Sequence, residues 1–294
     1  MKMSQLYSVV FAGTPAFAVP SLEALVKDPS FDVTLVISQP DRPVGRKKIS
    51  TAPPVKEYAT KHNIPMFQPE DINTQHGEVD FTCDFLVVAA FGQIFSPDIL
   101  MIPTIAPINV HASILPRWRG ASPIHHALLA GDEQTGVTIQ KMAPELDTGD
   151  ILAQESTFIE ERETFASLHD RLAKMGANLL LETLKKPLSP TPQNEEDVSI
   201  CTKLTRGEGD VDLQTMTAEE IDRHVRALVP WPGVRCSIER SEVKLLETAL
   251  EEGGNALALP CAKGTTLFVH SLQSPGKKPV SGTQWKLGHR SENG

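Results

Sequence analysis

Residues 84–90 (DFLVVAA), closed by Gly92, give the strongest strand signal in the chain, and they stand in a series. Residues 7–12 (YSVVFA), 32–38 (DVTLVIS), 64–67 and 108–111 are further short apolar and β-branched runs. Between them, residues 16–27 and 53–62 carry apolar side chains at helical spacing, with Pro20 near the first turn of the earlier segment. Strands that alternate with helices imply right-handed βαβ units and a mostly parallel sheet. The expected fold is therefore α/β, with a Rossmann-like N-terminal domain. Gly13-Thr14-Pro15 follows the first strand where a dinucleotide fold carries glycines, but Pro15 occupies the second glycine position, so the default reading is a tight turn.

Further along, residues 137–142 and 151–158 read as strands joined by a loop that holds Asp147. Phe165, Leu168, Leu172, Met175, Leu179 and Leu180 mark one amphipathic helix over 165–184, with Thr164 at its start. The composition then changes: residues 187–197 (PLSPTPQNEED) hold three prolines and three acids in eleven positions, which reads as a linker. Beyond it, Thr217 and Glu220 have the spacing of a capping box opening a helix to Leu228. Short strands at 234–238, 243–248, 256–260 and 266–272 imply a small β-barrel of the OB type. The expected boundaries are 1–188 for the first domain, 189–206 for the linker and 207–294 for the barrel, with the last six residues, HRSENG, as a frayed tail.

A net charge of -9 argues against a protein that coats nucleic acid, yet it leaves room for a local basic grip. Arg42, Arg46, Lys47 and Lys48 fall within seven residues and are either such a grip or a solvated loop. No apolar run approaches the roughly 20 residues of a membrane helix. The first residues lack a secretory apolar core and an Arg-rich transit helix. The four cysteines form no CxxC pair, which disfavours a zinc site and a disulfide framework and fits a reducing cytoplasm.

Chemistry concentrates between Ile108 and Leu152. Asn109 and His111 are two apart at the end of a strand-like run, so their side chains share one face. That end is where ligands bind in open α/β sheets. Asp147 follows in the loop LDTGD. An amide, an imidazole and a carboxylate suffice to move an acyl group onto an amine, one for the oxyanion, one for the proton and one for the imidazole. The same residue types also occur as satisfied polar groups in cores. Arg117 and Arg119 either bind an anionic tail or are surface charges, and His125 and His126 read as structural or exposed.

The motif Asn109-x-His111, followed by Ser113-Ile114-Leu115-Pro116, Arg117, Arg119-Gly120 and Asp147-Thr148-Gly149-Asp150, resembles the signature of the formyltransferases that use 10-formyltetrahydrofolate. FAGTPAFAVPSLEAL near the start, PDRPVGRKK over 40–48, and KLTRGEGDVD, VRALVPWPGV and LQSPGKK near the end are similar to the branch of that family acting on methionyl initiator tRNA. The basic loop is one residue shorter than the usual G-R-G-K-K, and Glu145 stands where a glycine is common.

The resemblance implies transfer of a formyl group from 10-formyltetrahydrofolate, as co-substrate and without a metal, to the α-amine of methionine on initiator tRNA, for translation initiation. It implies that Asn109 donates to the oxyanion, that His111 stabilises the intermediate or shuttles a proton, and that Asp147 holds His111 and favours its protonated form. Ser113, Ile114, Leu115 and Pro116 would line the folate site with Ala89, Ala90 and Phe91. Arg42 would contact a base or the backbone at the tRNA acceptor end, with Arg46, Lys47 and Lys48 beside it, the lysines on phosphates, and the C-terminal domain would add backbone contacts. A cytoplasmic monomer without a membrane segment is expected. The competing expectations are a sugar-nucleotide formyltransferase, a formate-releasing hydrolase, a purine-pathway formyltransferase and a non-catalytic folate- or RNA-binding module.

Overall fold

The computed structural model describes residues 6–44 and 49–290. In chain order the elements are β1 (Tyr7–Gly13), α1 (Val19–Lys27), β2 (Phe31–Ile37), β3 (Arg42–Val44), β4 (Ile49–Thr51), α2 (Pro54–Lys61), β5 (Met66–Phe67), α3 (Ile72–Gln75), β6 (Phe85–Ala89), α4 (Pro97–Leu100), β7 (Ala106–His111) and β8 (Arg119–Gly120). They continue with α5 (Pro123–Ala130), β9 (Gln134–Lys141), β10 (Ile151–Phe158), α6 (Phe165–Leu184), β11 (Ile200–Cys201), α7 (Ala218–Leu228), β12 (Val234–Ile238), β13 (Ser241–Ala249), β14 (Leu257–Pro260), β15 (Thr266–Gln273), β16 (Val280–Ser281) and α8 (Gly282–Arg290). The chain divides into two compact units. One comprises Met1–Gly120, Gln134–Phe158 and His169–Cys201, and the other Ala121–Glu133, Ile159–Leu168 and Thr202–Gly294.

The first unit is built on a seven-stranded sheet in the order β10-β9-β7-β6-β1-β2-β5. The strands β7, β6, β1, β2 and β5 are parallel, while at one side β9 pairs antiparallel with β7 and β10 antiparallel with β9. The sequence predicts this mostly parallel core, and the structure has it. Every residue of β6 is buried, as are Val9, Val10, Phe11 and Ala12 of β1. Each fully buried Val, Leu or Phe contributes about 1.5–3 kcal/mol of apolar burial. α1 starts with Pro20 in its first turn, where the missing N–H leaves no helical bond unmade, and it buries Leu22 and Leu25. Gly176 lets α6 lie close to the sheet: a Cβ there would stand 2.8 Å from Val110 Cγ1.

The register of the parallel strands decides what their carboxyl ends share. Gly13 is level with Ala89, and Val88 with Asn109. The last residues of β1, β6 and β7 therefore open onto one edge of the sheet, where open α/β folds bind ligands. Gly13 is needed there, since a Cβ would meet Ala18 Cβ at 2.7 Å and Ala89 O at 3.0 Å. Thr14 Oγ1 donates to Phe91 O at 2.7 Å and ties the turn after β1 to the turn after β6. The Gly13-Thr14-Pro15 segment is thus a tight turn held to its neighbouring strand.

The second unit has a curled antiparallel sheet, β12-β13-β15-β14, with β16 pairing β15. It is a half-barrel with β12 and β14 at its edges. α7 opens with the expected capping box: Thr217 Oγ1 accepts from Glu220 N, and Glu220 Oε2 accepts from Thr217 N. Asp222 of α7 is buried and accepts from Arg162, Arg226 and Thr248. The expected frayed tail is corrected in part. His289 and Arg290 belong to α8, which the buried Trp285 anchors, and residues 291–294 lie outside the described ones. Among the described residues no helix is long and apolar enough to cross a membrane.

Candidate active site

β7 carries Asn109 and His111 on one face, as the two-residue spacing predicts. The chain then returns antiparallel as β9, which sets Gln140 opposite Asn109 and Thr138 opposite His111. After β9 the loop 142–150 folds back, and Lys141 N donates to Asp150 O at 2.9 Å. Gly149 makes this possible, because a Cβ there would lie 1.8 Å from Lys141 O. Asp147 takes a left-handed backbone, φ +56°, which aspartate adopts more readily than most L residues.

That conformation directs the Asp147 carboxylate into the sheet edge. Oδ1 accepts from Asn109 Nδ2 at 3.2 Å and from Gln140 Nε2 at 2.8 Å, and it stands 3.5 Å from His111 Nδ1. Oδ2 accepts from the backbone N–H of Gly120 at 2.9 Å. Asp147 and His111 are both buried, at 8% and 6% exposure, whereas Asn109 is half-buried. One Asn109 N–H therefore faces Asp147, and the amide has a second to give. His111 Nε2 lies 2.9 Å from Trp118 O. A carbonyl only accepts, so Nε2 carries a hydrogen and Nδ1 is the nitrogen that meets Asp147. The structure brings Asn109, His111 and Asp147 into one cluster.

The segment after β7 is held just as closely. Ser113 Oγ donates to Arg117 O at 2.6 Å, Leu115 N donates to Thr138 Oγ1 at 3.1 Å, and Gln154 Nε2 donates to Leu115 O at 2.8 Å. Ser113 and Leu115 are buried, so their side chains pack beneath the edge, while Ile114 and Pro116 are half-exposed. At the end of β6, Ala89 and Phe91 are buried, Phe91 stacks on Phe95, and Ala90 is exposed with φ +47°.

Arg42 lies in β3, exposed, with its guanidinium 2.8 Å from Glu70. β3 and β4 form a hairpin whose connecting residues, among them Arg46, Lys47 and Lys48, lie outside the described ones. Arg119 is neither a surface charge nor a free anion site. It is 5% exposed, its Nε donates to Gln193 Oε1 at 3.0 Å, and its NH2 lies 2.7 Å from Glu195 Oε1, which holds the Glu195 carboxyl below its ordinary range. His125 stacks on Phe165, and His126 Nδ1 lies 3.0 Å from Ser122 O, so both are structural.

Two residues escape the sequence reading. Gln140 sits inside the strand run VTIQKM and bonds Asp147 only because β9 pairs antiparallel with β7. Its position as a polar residue in a buried strand was the available signal. Gln193 lies in the proline-rich segment and gives no local signal, yet its Nε2 donates to Asp147 O at 2.8 Å and to Gly149 O at 2.7 Å. A cavity between the 211–214 turn, β12, β14 and α8 contains none of these residues.

Residues 7–184 match the formyl transferase model, and residues 203–290 match the formyl transferase C-terminal domain model. The chain is similar to the methionyl-tRNA formyltransferase of Halorhodospira halophila, 48% identical over 81% of this chain and 78% of that one. It is also similar to the methionyl-tRNA formyltransferase of Bacillus cereus, 42% identical over 98% of both chains. Among solved structures it resembles in fold the N-formyltransferase of Helicobacter canadensis, TM-score 0.66 and 19% identical, over 89% of this chain and 98% of that one. HypX of Aquifex aeolicus, solved with tetrahydrofolic acid, gives TM-score 0.66 at 15% identity over 96% of this chain and 47% of its own. Two family models that together span almost the whole chain, with relatives above 40% identity over four fifths or more of it, leave one assignment: the chain belongs to the formyl transferase family, on its methionyl-tRNA formyltransferase branch.

Proposed function

We propose that this chain moves the formyl group of 10-formyltetrahydrofolate onto the α-amine of methionine esterified to initiator tRNA. The observation that carries this reading is the Asp147 carboxylate, which gathers Asn109 and His111 at the carboxyl end of the sheet. Family membership supports the reaction, and the folate-bound structural neighbour supports a folate-type co-substrate on this fold.

The attacking amine must be neutral. An α-amine titrates at about 7.7–8.0, so freeing it near pH 7 costs only about 1 kcal/mol. The larger barrier is the charge that builds on the formyl oxygen as the C–N bond forms. The second Asn109 N–H is suited to receive that charge, and its fit to an oxyanion is chemical: it is a neutral donor, half-buried, with its partner N–H already fixed on Asp147. His111, with its Nε2 hydrogen held on Trp118 O, has only Nδ1, on the Asp147 side, to take part in proton movement; it stabilises the intermediate or relays through Nδ1 the proton that the amine loses and the departing folate nitrogen gains. Asp147 orients both. No step calls for a metal.

Arg42 and the basic residues 46–48 are the proposed grip on the acceptor end, with phosphates positioning the RNA and unpaired bases read by shape. The test is formyl transfer by the purified chain with 10-formyltetrahydrofolate, offering methionyl initiator tRNA, methionyl elongator tRNA and a nucleotide-linked amino sugar as acceptors. Formylated initiator tRNA as the dominant product is the expected result. Preference for the amino sugar would overturn the acceptor assignment, and no transfer to any amine would overturn the reaction.

A further inference from the structure

The functional reading leaves Gln193 without a role. It lies in the segment 187–197, outside every catalytic motif, yet it touches the catalytic loop more intimately than any other residue of that segment. Its Nε2 donates to Asp147 O at 2.8 Å and to Gly149 O at 2.7 Å, the two carbonyls that flank Thr148. Its Oε1 accepts from Arg119 Nε at 3.0 Å. We propose that Gln193 is a positioning residue for formyl transfer, acting through the backbone of the Asp147 loop. The proposal rests on the formyl-transfer reading of the Asp147 site.

The amide orientation follows from its partners. A guanidinium only donates, so the atom facing Arg119 must be the oxygen and the nitrogen must face the carbonyls. Both amide hydrogens thus serve the loop. Arg119 is itself held, since its NH1 and NH2 donate to Glu195 at 3.2 and 2.7 Å.

The segment around Gln193 is fastened at both ends. Upstream, Thr191 and Ile151 exchange backbone hydrogen bonds at 2.8 and 2.9 Å. Downstream, Trp118 N donates to Ser199 Oγ, Arg119 N donates to Ser199 O, and β11 pairs in parallel with β8. Gln193 therefore grips the loop from a rigid base.

What it grips is demanding. Asp147 has φ +56°, and its side chain must satisfy Asn109, Gln140 and Gly120 N while facing His111. Each of those bonds depends on where the Asp147 backbone stands. A displacement of about 1 Å at a positioned group can lower a rate by about a hundredfold. The clasp on Asp147 O and Gly149 O restrains that displacement at the backbone itself.

Gln193→Glu keeps the shape and the acceptor for Arg119 but has no hydrogen for the carbonyls. In the full chain we expect kcat to fall about 10- to 100-fold, with KM for methionyl initiator tRNA changed less than about threefold. In an Asp147→Ala background the same substitution should cost less than about threefold more, because its effect passes through Asp147. Hydrogen exchange gives a readout independent of turnover: amides of residues 146–150 should exchange about tenfold faster or more, while those of β1 and β6 stay unchanged. Gln193→Leu, read the same way, replaces the Glu variant if that one does not fold. A Gln193 variant with kcat within threefold of wild type overturns the proposal, as does an equal loss in both backgrounds. Unchanged exchange in the loop overturns it even if the wild-type chain proves inactive on tRNA, an outcome that would count separately against the reaction itself.

Discussion

Asp147 is the residue on which the site turns, because one carboxylate serves three hydrogen-bond donors and faces an imidazole. Asp147→Asn would keep the volume and replace one acceptor oxygen with an NH2. With its NH2 towards Gly120 the new amide sets an N–H against a fixed backbone N–H; turned the other way, it keeps its partners only if the Asn109 and Gln140 amides flip to accept, which takes the Asn109 donor out of its place. We expect formyl transfer to fall at least about a hundredfold while circular dichroism and folate binding persist, and near-normal turnover would remove Asp147 from the mechanism. Asn109, His111 and Asp147 are legible in the sequence because their types and spacing are themselves chemical. Gln140 is hidden because its partner is fixed by the register of β9 against β7, a pairing that no local pattern states. Gln193 is more deeply hidden, since a glutamine among prolines and acids reads only as solvated chain.

At the scale of elements, the parallel strands begin at a carboxylate staple remote from the chemistry. Asp84 Oδ2 accepts from Ser8 N at 2.8 Å and Ser8 Oγ at 3.0 Å, and Oδ1 accepts from Thr104 Oγ1 at 2.8 Å. These bonds join the start of β1 to the start of β6 and to the turn before β7. The Ser8 backbone bond is the main cause holding the Asp84 carboxyl below the ordinary aspartate range, against the opposing effect of burial. A depressed folded value contributes stability that is present above the unfolded pKa and disappears as pH falls through the folded one. Asp84→Asn should therefore lower Tm at pH 7 and flatten its decline below about pH 4. Parallel Tm curves for wild type and variant from pH 6 to pH 2.5 would refute the staple's acid sensitivity. The long elements are legible because period and punctuation are local: α6 and α7 fall where their apolar spacing and capping box put them. β8 and β11 are not legible, because each is two residues long and exists only by meeting the other, with Ile200 level with Arg119. α8 has little apolar content and depends on one buried tryptophan, so its periodicity is faint.

The whole molecule carries a net charge of -9, yet its proposed acceptor is a polyanion, so binding must be local and sensitive to salt. With Arg42 on a phosphate, Arg42→Ala should raise KM for tRNA, leave KM for the folate unchanged and lower the log–log salt slope by about 1. An equal effect on both substrates would exclude that division of labour. The composition changes at Pro187, whereas the first unit runs on to Cys201, and the make-up of the second unit is not legible, because segments 121–133 and 159–168 join it from far along the chain. Their bonds are specific. Arg162 NH1 donates to Asp222 Oδ2 at 2.7 Å across 60 residues, Arg162 NH2 donates to Thr248 O across 86, and Arg226 NH1 donates to Glu163 O at 3.0 Å. Asp222 is 1% exposed, and a buried carboxylate that loses a cationic partner is left poorly compensated. α7 also packs on α5, which a C-terminal fragment lacks. Residues 202–294 alone should therefore fail to reach a cooperative fold, giving poorly dispersed amide resonances and no sharp thermal transition. In the full chain, Arg162→Ala should lower stability by about 1–2 kcal/mol, less than a fully buried pair would because Arg162 is half-exposed. A fragment with native dispersion and a sharp melt would mean that α7 and the half-barrel close their core without the two inserted segments, and that the Arg162–Asp222 pair is dispensable.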